Sequence, residues 1–183
     1  MNVLNVNEEK TRTAAATVVM HPVLHSFAYG LDYLREQIAD VSDGGMVAQP
    51  NGIMNHPNWV VGHLTYTCQL LGGIIGVSEW LPHDSAERYG TGSAPQADAK
   101  LYETKDELLK ILADAQARIS EAVERLDEAE LNAPFPDESY LEVFPTIRHA
   151  LTQVLVGHTA NHVGQVSFWR RAMGLPPMRR SFE

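Results

Sequence analysis

Two histidines four residues apart offer the clearest metal-binding chemistry in the sequence. His158 and His162 occur in "VGHTANHVGQVSFWRRAMGLPP". Residues four apart in an α-helix lie about 40° from each other around its axis, so both imidazoles face one way. Leu151, Leu155 and Trp169 share that face, which we therefore expect to point into the protein. The pair can bind one divalent ion, although a hydrogen-bonded structural pair would have the same spacing.

A third histidine lies on an earlier helical segment, "PNWVVGHLTYTCQLLGGIIG". The helical period places His63 on one stripe with Trp59, Thr67, Leu70 and Ile74, and we expect this stripe to be buried. Buried imidazoles without polar partners are costly, and one shared metal ion would explain all three. Three nitrogen ligands leave coordination positions open, as in catalytic rather than closed structural zinc sites.

Other kinds of metal site fit the sequence less well. A metalloprotease helix needs a glutamate directly after its first histidine, where this chain has Thr159. Di-iron bundles need Glu-x-x-His, which does not occur. The single cysteine, Cys68, excludes multi-cysteine zinc sites and c-type haem attachment, although one axial histidine could still bind haem. Cys68 lies about 140° from His63 around the helix, which predicts a small buried residue rather than a ligand.

The remaining histidines predict no site. His21 and His25 are four apart, but His21 falls at the expected start of the first helix, so they are the weaker pair. His56 and His83 stand next to prolines in or beside loops, where we expect solvent-exposed positions. His149 projects from the side of the last helix opposite to the pair.

The composition is that of one globular domain. The chain has 183 residues, of which 44% are apolar, enough for a sizeable core. Its net charge of −9 disfavours binding to nucleic acid. The longest apolar run, 70–77, is too short to span a bilayer, and the N-terminus lacks the pattern of a signal peptide. We therefore expect a cytoplasmic protein with no nucleic-acid or membrane partner.

The first part of the chain predicts a tail followed by a helix. Residues 1–16 are polar and aperiodic, which predicts a flexible N-terminal tail. An apolar seam spaced by three and four residues then indicates a helix that starts near His21, with Pro22 in its first turn. "SDGG" at 42–45 ends that helix, and the histidine-bearing second helix follows.

Two further helices follow in the second half. "TKDE" is a capping box from Thr104 to Glu107 at the start of a clean amphipathic pattern. The fourth helix is expected to start with Thr146 as its cap and to run to Met173, because Gly174 and two nearby prolines stop it.

These patterns predict an all-α four-helix bundle with a long crossover at 78–103. If helices two and three run parallel, the crossover must climb about 30 Å, which a segment of this length can do. Its length also suits a lid over the metal site. Gly72, Gly73 and Gly76 let another backbone approach helix two, which favours a homodimer or, alternatively, close packing within the bundle.

Two motifs resemble those of the DinB/YfiT-like superfamily of metal-binding four-helix bundles: "NHPNWVVGHL" and "GHTANHVGQVSFWRRAMGLPP". The resemblance implies an up-down-down-up bundle over 17–177, with a short C-terminal tail at 178–183. It also implies that His63, His158 and His162 bind nickel, zinc or another divalent ion. Members of the superfamily include thiol-dependent S-transferases and a mycothiol-dependent isomerase.

The sequence leads to two hypotheses about function. The first is a metal-dependent transferase that uses a low-molecular-weight thiol and acts on a small-molecule substrate. Gln165 would orient a ligand or substrate, Asn161 would support the site by a hydrogen bond, and Trp59 would form a pocket wall. The second is a non-catalytic or stress-associated metal-binding protein, with a metal-dependent hydrolase as a further alternative, although no general base is evident beside the histidines.

Overall fold

The computed structural model describes the backbone of residues 3–178 and the side chains of residues 19–178. Within this part the chain is helical, without a strand, and the predicted all-α class is confirmed. The α-helices are α1 (Val3–Ile38), α2 (Asp43–Met46), α3 (Pro57–Ile74), α4 (Ser85–Tyr89), α5 (Lys105–Arg125), α6 (Glu128–Asn132), α7 (Ile147–Thr152) and α8 (Thr159–Ala172). A π-helical segment, Gln153–His158, joins α7 to α8.

Four long helical bodies surround one core: α1, α3, α5 and the rod from α7 to α8. Helix α1 packs against α5 and α8, and α3 packs against the same two, so the four bodies close a ring. At one end of the ring, Lys105 of α5 donates to the carbonyl of Val41 just beyond α1 (2.6 Å). Near the end of α8, Trp169 donates to the carbonyl of Ala48 (2.8 Å). These end contacts favour the predicted up-down-down-up order, which stays a prediction.

The core is formed by apolar side chains from all four bodies, and its burial supplies the main driving force for folding. The fully buried members include Leu31, Leu34, Val60, Val61, Leu112, Ile119, Leu151 and Val166.

The capping box of Thr104 and Glu107 is present at the start of α5, as its sequence predicts. No helix among the described residues is both long and apolar enough to cross a membrane. The cytoplasmic location stays a prediction.

The first helix is longer than its sequence suggests. It begins at Val3, so the predicted start near His21 is wrong, and Pro22 lies inside the helix. A proline inside a helix removes one backbone hydrogen bond and crowds the preceding turn, yet the helix continues through Pro22. Residues 3–16 of the predicted N-terminal tail are helical, and their flexibility stays a prediction. Residues 1 and 2 and residues 179–183 of the predicted C-terminal tail lie outside the described residues.

His56 caps α3 and is completely buried, so its predicted exposure is wrong. Its Nδ1 accepts from the backbone N–H of Trp59 (3.1 Å), and its Nε2 donates to the carbonyl of Gln96 (3.0 Å). Both ring nitrogens thus have a partner, which removes the cost of burying the imidazole. The bond to Gln96 ties the long crossover to the start of α3.

The buried face of α3 differs from the predicted stripe at its C-terminal end. Trp59 and His63 are buried as predicted, but Leu70 is 54% exposed. The buried side passes through Cys68 and Leu71 instead, because α5 and α8 both pack against this helix. Cys68 is buried, as the sequence predicts.

The glycines of α3 do not all serve the same purpose. A Cβ atom on Gly72 would lie 3.1 Å from the Trp80 ring, so this glycine allows close packing within the chain. On Gly73 and Gly76 a Cβ atom would meet nothing within 4 Å. The homodimer stays a prediction.

The crossover at 78–103 is fixed to α3 by specific contacts. Its short helix α4 packs on α3, with the Tyr89 ring directly over Gly62. The Tyr89 hydroxyl donates to the Glu103 carboxylate, which also pairs with Arg88 (2.8 Å). At the other end of α3, Gln69 accepts from two backbone N–H groups of the crossover. These bonds satisfy polar groups that an irregular segment would otherwise leave unpaired.

The fourth body departs from a regular helix. It begins after Thr146 and turns at Gly174 (φ 71°), both as predicted, but its middle turn is π-helical. A π segment accommodates one extra residue per turn and changes the direction of every side chain beyond it. Arg170 near the end of this body is buried and forms a bidentate ion pair with Asp40 after α1.

We expect Gly62→Ala to destabilise the protein by about 2 kcal/mol through overpacking. Its Cβ would lie 2.2 Å from the Tyr89 ring, which is buried and tied to Glu103. Gly73→Ala is the matched control on the same helix, because its Cβ meets no atom and alanine favours helix. Urea unfolding measures both changes, and equal midpoints for the two variants would contradict the packing role of Gly62.

Candidate metal centre

The three predicted histidines meet at one point in the bundle. His63 comes from α3, His158 from the end of the π segment and His162 from the first turns of α8. Nε2 of His158 lies 3.2 Å from Nε2 of His63 and 3.2 Å from Nε2 of His162. One ligand atom from each residue lies within 4.8 Å of the others. We call these residues the trihistidine cluster.

The spacing of the cluster fits a metal ion. Nitrogens bound at about 2.0–2.1 Å to a tetrahedral ion lie about 3.3 Å apart, close to the 3.2 Å separations here. His63 and His162 are 5% and 8% exposed, so the site lies below the surface. The cluster contains no carboxylate and no cysteine within the described part of the chain. It is therefore a neutral, all-imidazole ligand set.

His63 is fixed in the tautomer that a metal ligand needs. Its Nδ1 lies 2.7 Å from the backbone carbonyl of Tyr89. A carbonyl oxygen only accepts, so Nδ1 carries the proton and Nε2 presents a lone pair to the cluster. A backbone carbonyl behind a metal-binding histidine is a common way to orient the ring. The crossover at 78–103 supplies this carbonyl.

His162 is oriented by an amide. Its Nδ1 lies 3.1 Å from Oε1 of Gln165, so this ring also presents its Nε2 lone pair to the cluster.

His158 is different, because its Nδ1 is buried and has no hydrogen-bond partner among the described residues. Whichever nitrogen of His158 carries the proton, one polar atom stays unsatisfied or faces other lone pairs. An ion at the centre would remove the repulsion between the three Nε2 atoms.

Burial keeps the cluster uncharged near neutral pH. Desolvation lowers the pKa of His158 to about 4, with a further contribution from nearby His63. Desolvation also lowers the pKa of His162 to about 4, assisted by the charges of His158 and His63. The pKa of His63 is lowered as well, again chiefly by burial. Neutral imidazole is the form that binds metal, so no proton has to be displaced at pH 7.

Trp59 packs against the cluster, and its predicted role as a wall of the substrate pocket stays a prediction. Its indole stacks on the His63 ring with centroids 4.6 Å apart, and it lies 6.0 Å from the His162 ring. Its Nε1 donates to Oγ of Ser93 in the crossover (2.8 Å). The stacked ring and this hydrogen bond restrict the orientation of the His63 imidazole.

The other two predicted site residues have different surroundings. Gln165 contacts His162 and also accepts from Nδ2 of Asn55 (3.1 Å). Asn161 is exposed and lines a surface groove of about 570 Å³ next to Gln165. Asn55 was missed by the sequence analysis, because it lies in an irregular segment before α3 where no periodicity indicates its direction.

The histidines that were not assigned to the site lie outside the cluster. His21 and His25 stack on each other with centroids 6.4 Å apart and are both exposed. His83 is exposed in the crossover, as predicted, and His149 is exposed on α7. Cys68 is 3% exposed, and burial raises its pKa to about 12, so its thiol stays protonated.

The fold and the cluster define an all-helical protein whose interior can hold a metal ion through three imidazoles. The family model described as the DinB superfamily matches residues 27–166, which include the whole cluster. This match covers more than half of the chain, so the chain belongs to the DinB superfamily, as its motifs predict. No curated protein and no solved structure matches the chain.

We expect the metal-free protein to lose stability as the pH falls from about 6.5 to about 4. In this window the unfolded chain protonates His158 and His162, whereas the folded chain, in which both pKa values are about 4, does not. The unfolded state then binds more protons, so the free energy of unfolding falls with pH. The loss is up to about 3 kcal/mol for each of the two histidines, and it is smaller for His158, whose partly exposed ring is screened by solvent.

Urea unfolding across this pH range measures the loss. The double variant His158→Gln, His162→Gln lacks the titrating groups and should show a correspondingly shallower pH dependence. Parallel profiles for the parent and the variant would show that these two histidines are not held neutral in the folded state.

Proposed function

We propose that the protein binds one divalent metal ion through Nε2 of His63, His158 and His162 and uses it to transfer a group to or from a low-molecular-weight thiol. The observation that carries this proposal is the convergence of three imidazoles: Nε2 of His158 lies 3.2 Å from Nε2 of His63 and from Nε2 of His162. Hydrogen bonds at Nδ1 orient the rings of His63 and His162. A divalent ion bound there would lower the pKa of a coordinated thiol and so supply a nucleophile at neutral pH.

Nickel and zinc are the metals that the resemblance to the superfamily implies, and the ligand set is compatible with both. Imidazole nitrogen suits zinc, nickel, copper and iron, whereas calcium and magnesium prefer oxygen ligands. Three neutral ligands leave the full double charge on the ion, which strengthens its effect on a bound thiol. They also leave at least one coordination position for that thiol.

The thiol has to come from outside the chain. Cys68 is the single cysteine of the sequence, and it is buried on α3 with its pKa raised to about 12. A buried, protonated thiol is a poor nucleophile. A separate low-molecular-weight thiol therefore accounts for transfer chemistry better than a covalent intermediate on the protein does.

The surface groove beside Gln165 is the site we propose for the small-molecule substrate. Its volume of about 570 Å³ suits a small molecule. Met54 and Phe168 line it and are 51% and 63% exposed, which favours a substrate with an apolar part. Asn55 and Gln165 supply amide groups at the side of the groove nearest the trihistidine cluster.

A non-catalytic metal-binding protein is the second candidate. The low exposure of His63 and His162 favours it, because a closed centre needs no access for a substrate. A metal-dependent hydrolase is a further alternative with less support. The trihistidine cluster includes no carboxylate that could act as a general base.

The cobalt-loaded protein tests the proposed function. Adding a low-molecular-weight thiol (glutathione, cysteine or 2-mercaptoethanol) should produce a sulfur-to-cobalt charge-transfer band in the near ultraviolet, because the thiolate occupies an open position. Cys68→Ser is the matched control and should show the same band, since its buried side chain supplies no ligand. A cobalt spectrum that no thiol alters would contradict the transferase and leave the non-catalytic protein as the better account.

A further inference from the structure

We propose that Asn55 is a positioning residue that acts through Gln165 to hold the proton of His162 on Nδ1. Nδ2 of Asn55 donates to Oε1 of Gln165 at 3.1 Å, and the same Oε1 lies 3.1 Å from Nδ1 of His162. One oxygen thus accepts two hydrogen bonds, one from each side. The inference rests on the proposed function, because the orientation of His162 matters most when its Nε2 binds a metal ion.

The need for Asn55 follows from the symmetry of the Gln165 side chain. A glutamine amide can rotate by 180° and exchange its oxygen for its NH₂ group. If the NH₂ group faced His162, Nδ1 would have to accept and the ring proton would move to Nε2. That proton would then point at Nε2 of His158, only 3.2 Å away, and occupy the position of the metal.

In this structure the hydrogen bond from Asn55 sets the amide orientation of Gln165. The NH₂ group of Asn55 faces Gln165 and donates to it, so the oxygen of Gln165 faces Asn55. Since one atom of Gln165 contacts both neighbours, that choice also places the oxygen against His162. His63 needs no such residue, because the backbone carbonyl of Tyr89 cannot exchange its acceptor for a donor.

The local structure holds Asn55 in place. It directly precedes His56, which is completely buried and hydrogen-bonded at both ring nitrogens. The backbone N–H of His56 also donates to the carbonyl of Met54 (3.0 Å), which closes a tight turn around Asn55. The asparagine side chain therefore reaches Gln165 from a fixed point at the edge of the groove.

Asn55→Asp tests this inference. A carboxylate only accepts, so Gln165 should turn its NH₂ group towards Asp at this position and therefore towards His162 as well. In the metal-free protein, ¹⁵N NMR of the histidine rings should show His162 protonated at Nδ1 in the parent and at Nε2 in the variant. The affinity for zinc should fall by about 10- to 100-fold, which is the usual loss when a residue that hydrogen-bonds to a metal ligand is mutated.

Two further variants separate this effect from charge and from general disruption. Asn161→Asp adds the same charge on the same groove and should leave the tautomer of His162 unchanged. Gln165→Glu presents only acceptors to Asn55 and His162, so it should keep the proton on Nδ1. If Asn55→Asp does not fold, the His162 tautomer is measured in Asn55→Ala, where we expect a mixture of the two tautomers.

The tautomer of His162 tests the positioning role of Asn55, and the zinc affinity tests the proposed function. A proton that stays on Nδ1 of His162 in both Asn55 variants would overturn the positioning role of Asn55. A proton that moves in a protein that binds no zinc would support that role and contradict the proposed function.

Discussion

The structure depends on bringing three neutral imidazole nitrogens to one point inside a helical bundle. The Nε2 atom of His158 lies 3.2 Å from those of His63 and His162, and lone pairs this close repel one another. A proton could bridge only one pair, and burial disfavours the charged imidazolium by lowering each pKa. A divalent ion relieves the repulsion at all three nitrogens, which makes metal binding the simplest use of this arrangement.

Segments outside the long helices make that arrangement possible. The crossover at 78–103 delivers the carbonyl of Tyr89 to His63, and Gly62 leaves the space that lets α4 approach closely enough. The segment before α3 places Asn55 behind Gln165. The bundle thus supplies the position of each histidine, while the irregular segments supply the orientation of its ring. Orientation matters because only the unprotonated nitrogen binds metal.

The sequence predicts the helical parts of this site better than the irregular parts. Helical periodicity projects each side chain in a computable direction, so the burial of His63 and Cys68 and the shared face of His158 and His162 follow from spacing. The assignment of all three histidines to one site rested also on the resemblance to the superfamily. Leu70 shows the limit, because which side of a central helix is covered depends on its neighbours. His56 was misjudged since a capping histidine looks like a loop residue, and Asn55 was missed because turn geometry carries no period. No pattern in the sequence indicated the π-helical segment Gln153–His158.

The most direct test of the account is the metal content of the purified protein without a histidine tag, measured by elemental analysis after loading with zinc or nickel. We expect about one equivalent per chain in the parent and in His149→Ala, which removes an exposed histidine from the same helical body. His162→Ala should bind none while circular dichroism shows unchanged helix content. One tightly bound equivalent in His162→Ala, or none in the parent, would contradict the assignment of the three histidines as metal ligands.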